Sequence, residues 1–398
     1  MPDLSQRARE MPPSPIRKLV PFAEEARRRG VHVHHLNIGQ PDIETPPAFW
    51  EALREHPRVL AYDHSLGLVE YRKGLVEYYR RWGIDVGVGE ICVTTGGSEA
   101  ITFAFSALCD AGDELICFEP FYTNYNGYAV QARVKLVPVT CRAEDGYHLP
   151  PDAEIAAKIT PRTRGFLICS PNNPTGTVLT RAELERLAGL AVKHDLWVVS
   201  DEVYREFTYE GKHTSAMDIP ALRERAVLLD SVSKRYSACG ARIGCLISHA
   251  PALNDSILRF AQARLCPPTL EQMGALAMTR VPADYFDAVK AEYQARRDCV
   301  VDSLAQIPGV LCKKPAGAFY IMARLPIADS DDFARWLLTD FDCKGSTVMV
   351  APGDGFYATP GLGKDEVRIA YVLKLDHLRE AMGCLARGLE VYRERKRA

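Results

Sequence analysis

Lys234 stands just beyond the apolar run "AVLLD", inside "SVSKRYSACGAR", among hydroxyl, thiol and glycine neighbours, and Arg242 follows eight positions later. An amine serves as nucleophile or base near neutral pH only where burial and nearby cations favour its neutral form. Two cations this close repel unless an anion lies between them, so the pair asks for an anionic ligand. "VTTGGSEA" sets Gly96, Gly97 and Ser98 after a strand-like run, with a helix expected to start near Glu99. Glycines permit close backbone approach, and the free N–H groups of a helix start favour a phosphate. The turn has neither the Walker lysine nor the dinucleotide glycine spacing, and a plain N-cap turn is its structural alternative. "SPNNPTG" follows "RGFLIC" as a tight turn from which Asn173 could donate a hydrogen bond. "LWVVSDEVY" ends an apolar run on Asp201, with Tyr204 three residues later. A carboxylate in that position needs a partner, whether a ligand or a helix N-terminus it caps.

The elements that must hold these residues are legible between about 90 and 250, where short apolar runs alternate with helical patterns. The runs are "GEICVTTGG", "DELICFEP", "RVKLVPV", "RGFLICSPNNP", "LWVVSDE", "AVLLDSVSK" and "ARIGCLIS". Continuous Val/Ile/Leu runs mark strands buried on both faces, and the alternation predicts a mainly parallel α/β sheet flanked by helices. Such sheets bind ligands beyond the carboxyl ends of their strands. The last third reads differently, as a long helix, strand-like "AGAFYIMARL", a helix around "DDFARWLLTD", strand-like "EVRIAYVL" and a final helix. That is the pattern of a smaller α+β domain, which the N-terminal segment is expected to join. "SPIRKLVPFAEEARRRG" reads as a Pro-started amphipathic helix.

Taken together, "GGSEA", "SPNNPTG", "SDEVY", "SVSK" and "ARIG", in this order and spacing, resemble the fold-type I, class I/II aminotransferases that use pyridoxal 5′-phosphate (PLP). The likeness extends to "NIGQPD", "AYDHSLGLVEYR" and "EVRIAY" and covers nearly the whole chain; more narrowly, the chain looks like the bacterial aspartate aminotransferase group. It implies that Lys234 carries the cofactor and shuttles the proton. Arg242 and Ser231, with Gly97, Ser98 and the helix start at Glu99, would hold the phosphate, which is the anion between the two cations. Asp201 would pair with the pyridine nitrogen, Asn173 and Tyr204 with the phenolic oxygen, and Tyr122 would stack on the ring. Tyr62 would reach the phosphate of a neighbouring subunit, implying a homodimer with shared active sites. Arg368 would clamp the substrate α-carboxylate, since its planar fork suits a bidentate partner, with Gly39 and Asn173 beside it. "GAFY" (Gly317 to Tyr320) and "APGDGFYATPG" would line the substrate side, although Asp354 and the length of that loop depart from the family's pattern. The implied division is an arm at 1–45 joining the small domain, a large PLP-binding domain at 46–285, and a small C-terminal domain at 286–398.

Composition narrows the field. The 398 residues carry a formal charge of −2 with 47% apolar and 25% charged residues, which gives no electrostatic reason to expect nucleic acid or membrane as a partner. No apolar run approaches the roughly 18–20 residues of a membrane span, and the charged, Pro-broken N-terminus does not read as a signal peptide. Twelve scattered cysteines, with no zinc spacing, read as reduced thiols in a cytoplasmic protein without a metal site. The expected activity is transfer of an amino group from an L-amino acid, aspartate first, to a 2-oxo acid such as 2-oxoglutarate. No motif arginine obviously serves a distal carboxylate, so aromatic or neutral donors stay open, as does a C–S β-lyase on the same scaffold. A PLP-binding transcription regulator lacks room for its DNA reader before "NIGQPD", and a dehydrogenase lacks the required glycine spacing.

Overall fold

The computed structural model describes residues 2–397. Strand β1 (His32–His35) belongs to a small outlying sheet. The next seven form the central sheet: β2 (Ile91–Thr94), β3 (Glu114–Glu119), β4 (Lys135–Thr140), β5 (Thr163–Cys169), β6 (Trp197–Asp201), β7 (Ala226–Ser231) and β8 (Gly244–Ile247). Their spatial order is β2-β8-β7-β6-β5-β3-β4, with β8 antiparallel to both neighbours and every other pairing parallel. All seven apolar runs are therefore strands of one mainly parallel sheet. β3 and β7 are buried at every residue, which explains their unbroken apolar sequences. β4 is half-exposed and contains Pro138, tolerated because an edge strand needs fewer ladder donors. Helices Gly96–Leu108, Arg181–Lys193 and Pro251–Arg264 belong to the same unit. The second of these is started by a reciprocal pair, Thr180 capping Glu183 N–H and the Glu183 carboxylate returning to Thr180 N–H.

A second body of structure contains β9 (Tyr320–Arg324), β10 (Ser346–Met349), β11 (Ala351–Pro352) and β12 (Glu366–Ala370). β11, β12 and β9 form an antiparallel sheet, and β10 pairs in parallel with β1. Helices Ala283–Ala305, Ser330–Thr339 and Leu375–Arg397 pack around them. Leu19, Ala23 and Leu36 share one hydrophobic cluster with Phe333, Leu337 and Leu385. The N-terminal helix is shorter than its sequence suggests, running Val20–Arg28, with Pro21 in its first turn. Residues 15–19 form turns instead. Pro15 lies so close to Gly355 that a Cβ there would sit 2.4 Å from the proline Cβ, and Lys18 pairs with Asp331 at 2.5 Å. Among the described residues no helix is long and apolar enough to cross a membrane.

Candidate active site

A cavity of about 480 Å³ opens beyond the carboxyl ends of β5, β6 and β7, where the sheet is closed over by β12 and the N-terminal segment. Lys234 lies on the one-turn helix Val232–Arg235 that follows β7, started by the Ser231 hydroxyl accepting from Ser233 N–H. Its Nζ donates to the Gly39 carbonyl at 3.0 Å and lies 3.9 Å from the Cys239 Sγ. The residues on either side of it are fixed from below. Arg235 and Asp230, both buried, pair at 2.5 Å, and the Tyr79 hydroxyl donates to the same carboxylate at 2.7 Å. A buried pair with its remaining lone pairs satisfied resists displacement, because breaking it strands a charge in a dry interior. Lys234 itself is half-buried rather than enclosed, since it faces the open cavity.

Arg242 reaches the same cavity from a left-handed backbone (φ 54°) and is exposed. Its guanidinium rests against Gly96, where an added Cβ would lie 2.5 Å from Nη2. Gly96 itself has φ 72°, so glycine is required there for conformation as well as space. The helix begins at Gly96, three residues before the position expected from sequence, and this puts Gly97 and Ser98 on the cavity wall at its N-terminus. The Ser98 hydroxyl accepts from Tyr128 at 2.8 Å. Backbone amides, hydroxyls and a guanidinium, with no carboxylate among them, make a donor set suited to a phosphate.

Asp201 ends β6 at the cavity floor, buried, with Tyr125 Oη donating to its Oδ2 at 2.7 Å. Burial pushes its pKa up to about 6, against the opposing pull of the Tyr125 and Val203 hydrogen bonds. A dry carboxylate with no cationic partner among the described residues suits a ligand that brings a ring N–H⁺.

Arg368, on β12, is only 2% exposed. It donates to Asn173 Oδ1 at 2.9 Å and to the Asn37 carbonyl at 2.5 Å. Its Nε has no partner, and among the described residues no carboxylate pairs with it. Burial lowers its pKa, yet it packs over the faces of Tyr320 and Phe356 at 4.5 and 4.9 Å. An under-satisfied buried guanidinium at a cavity is a receptor for a carboxylate. Tyr204 shares a 2.9 Å hydrogen bond with Tyr320, and Tyr122 packs edge-to-face on Tyr125. Gly39 admits no side chain, since a Cβ would fall 1.8 Å from the Tyr320 hydroxyl oxygen.

One expected contact, that of the Glu99 side chain, lies elsewhere. Glu99 turns from the cavity: its carboxylate accepts from Thr95 N–H at 2.8 Å and pairs with Arg264 at 2.6 Å, a structural duty at the helix start. Only its backbone remains in the phosphate-side turn. Tyr62 is 81% exposed and outside the cavity of the single chain. Conversely, Tyr125, Asn37 and the segment Ser14–Arg17 were not singled out from sequence. Tyr125 sits in the aromatic stretch "FYTNYNGY", where only spacing from Tyr122 hints at a role. The Asp354 loop is tied to the central sheet: the buried Glu119 carboxylate accepts from Ala358 and Thr359 N–H at 2.8 and 3.0 Å.

Residues 31–385 match the family model for aminotransferase class I and II. The aspartate/prephenate aminotransferase of Thermus thermophilus is 34% identical over 98% of this chain and 99% of its own. Aromatic-amino-acid aminotransferase 2 of Thermococcus litoralis is 32% identical over 95% and 96%. Among solved structures, Thermus thermophilus aspartate aminotransferase with maleate superposes with a TM-score of 0.86 at 32% identity, covering 98% of this chain and all of that one.

Proposed function

The chain belongs to the class I and II aminotransferases, and from that premise we propose that it transfers the amino group of a dicarboxylic L-amino acid, aspartate first, to 2-oxoglutarate, using PLP in a homodimer. The observation that carries this reading is one cavity lined by a phosphate-type donor set, by Lys234 and by Arg368, whose Nε has no partner among the described residues. Gly97, Ser98, Ser231 and Arg242 would hold the phosphate, and Lys234 would anchor the aldehyde carbon. When bound, PLP supplies the electron-accepting ring that no side chain provides. Asp201, ionised against the ring N–H⁺, would keep that nitrogen protonated. Asn173, whose Oδ1 is occupied by Arg368, has its amide N–H free to donate toward the phenolic oxygen, with Tyr204 beside it. Arg368 fixes the α-carboxylate and so orients the Cα–H bond. Lys234 Nζ, once free as an amine, would take the proton from Cα and deliver it to the cofactor carbon it had held, a transfer that needs a mobile amine in a positioned, partly dry site.

Incubating the holoenzyme with aspartate, without an acceptor, should bleach the cofactor's absorbance band and release one oxaloacetate per site. The aromatic reading has its own support, since Tyr122, Tyr128 and Tyr320 line the cavity and one relative is named for aromatic amino acids. Full bleaching with phenylalanine and none with aspartate would replace the first reading by the second.

A further inference from the structure

We infer that Arg17 is the specificity-determining group that pairs with the distal carboxylate of a dicarboxylic substrate, an inference that rests on the dicarboxylate reading above. Four cations line the cavity, Arg17, Lys234, Arg242 and Arg368, against a single carboxylate, Asp201. Three of the four have roles there: Lys234 anchors the cofactor, Arg242 faces the phosphate end, and Arg368 takes the α-carboxylate. Arg17 is left over. Its guanidinium makes no ion pair or side-chain hydrogen bond among the described residues, whereas the adjacent Lys18 is neutralised by Asp331 at 2.5 Å and lies 3.9 Å from Asp354.

An exposed arginine on a turn is ordinarily just solvated, but this one is held at the cavity by its neighbours on both sides. Pro15 abuts Gly355, Ile16 packs against the cluster containing Met322 and Phe356, and Lys18 is pinned to Asp331. Gly355 lies just past β11, the strand paired with the β12 segment that carries Arg368. The segment with Arg17 is thus attached to the same sheet that holds the α-carboxylate receptor. A substrate held at Arg368 extends its side chain within a cavity whose one uncommitted cation is Arg17. Aspartate and 2-oxoglutarate both carry a second carboxylate for a guanidinium to meet.

The test is a titration of the holoenzyme with maleate, a dicarboxylate, and with propionate, a monocarboxylate, followed by the cofactor spectrum. Arg17→Gln should weaken maleate about 10- to 100-fold, the range for a lost charge-assisted pair, and propionate less than about threefold. Arg17→Lys should recover part of the loss. Equal weakening of both ligands, or unchanged maleate affinity, overturns the assignment. Wild-type enzyme inert to aspartate, yet binding maleate in an Arg17-dependent way, refutes the proposed donor and keeps the residue. Conversion of aspartate with maleate binding indifferent to Arg17→Gln does the reverse.

Discussion

Asp201 makes the site's chemistry and the protein's stability pull in opposite directions. Its folded pKa of about 6 lies above the ordinary 3.8, so the folded chain holds that proton more tightly than the unfolded one. The resulting penalty is absent below pH 3.8, grows as pH rises to about 6, and is complete above it. About two pKa units correspond to roughly 3 kcal/mol of lost stability at neutral pH in cofactor-free enzyme. Asp201→Asn keeps an acceptor for Tyr125 and carries no charge. Cofactor-free Asp201→Asn should therefore withstand more urea than wild type at pH 8, by up to about 3 kcal/mol, with the gap closing toward pH 4. A variant less stable than wild type at pH 8 would refute the argument. At this scale Lys234, Asp201, Asn173 and Arg368 were legible because each occupies, ends or closely follows an apolar strand, where a polar group demands a reason. Arg17 and Tyr125 were not, since their meaning depends on which distant segment they meet.

Among the elements, the turn from β2 into the helix Gly96–Leu108 bears most on cofactor retention. Gly96→Ala forces a side chain into a left-handed backbone and into the Arg242 guanidinium, 2.5 Å away. The expected result is a folded enzyme, destabilised by about 1 kcal/mol, whose PLP affinity falls at least about tenfold. Equilibrium dialysis against PLP measures it, and unchanged affinity would remove Arg242 from the phosphate end. Six of the seven central strands were readable because burial on both faces writes continuous apolar sequence, whereas the half-exposed edge strand β4 shows only the shorter apolar run of Leu136, Val137 and Val139. β1 and β10 were not, since "HVHH" and "STVM" are short, partly polar, and become strands only by pairing with each other. The N-terminal helix is shorter than its pattern for a related reason: Ile16, Leu19, Val20 and Ala23 follow helical spacing, but residues 15–19 form turns held by distant segments, Pro15 on Gly355 and Lys18 on Asp331.

At the scale of the molecule we propose the division into an arm at 1–45, a PLP-binding domain at 46–285 and a small domain at 286–398. Its support is the shared cluster of residues 19–36 with the C-terminal helices. Val59, Leu60 and Tyr62 are 76%, 58% and 81% exposed, an apolar run that in a homodimer would be covered by the second copy. Leu60→Glu should shift sedimentation from dimer toward monomer and reduce activity together with dimer content. A wild type that sediments as a monomer with full activity would refute the shared site. The pairing of β1 with β10 also bears on how the chain is made. His32 finds its partner Ser346 more than 300 residues later. At a ribosomal pace of roughly 5–20 residues per second, that strand waits on the order of 15–60 seconds for its mate. A strand made early is thus among the last to be secured, and it stays unpaired through most of synthesis.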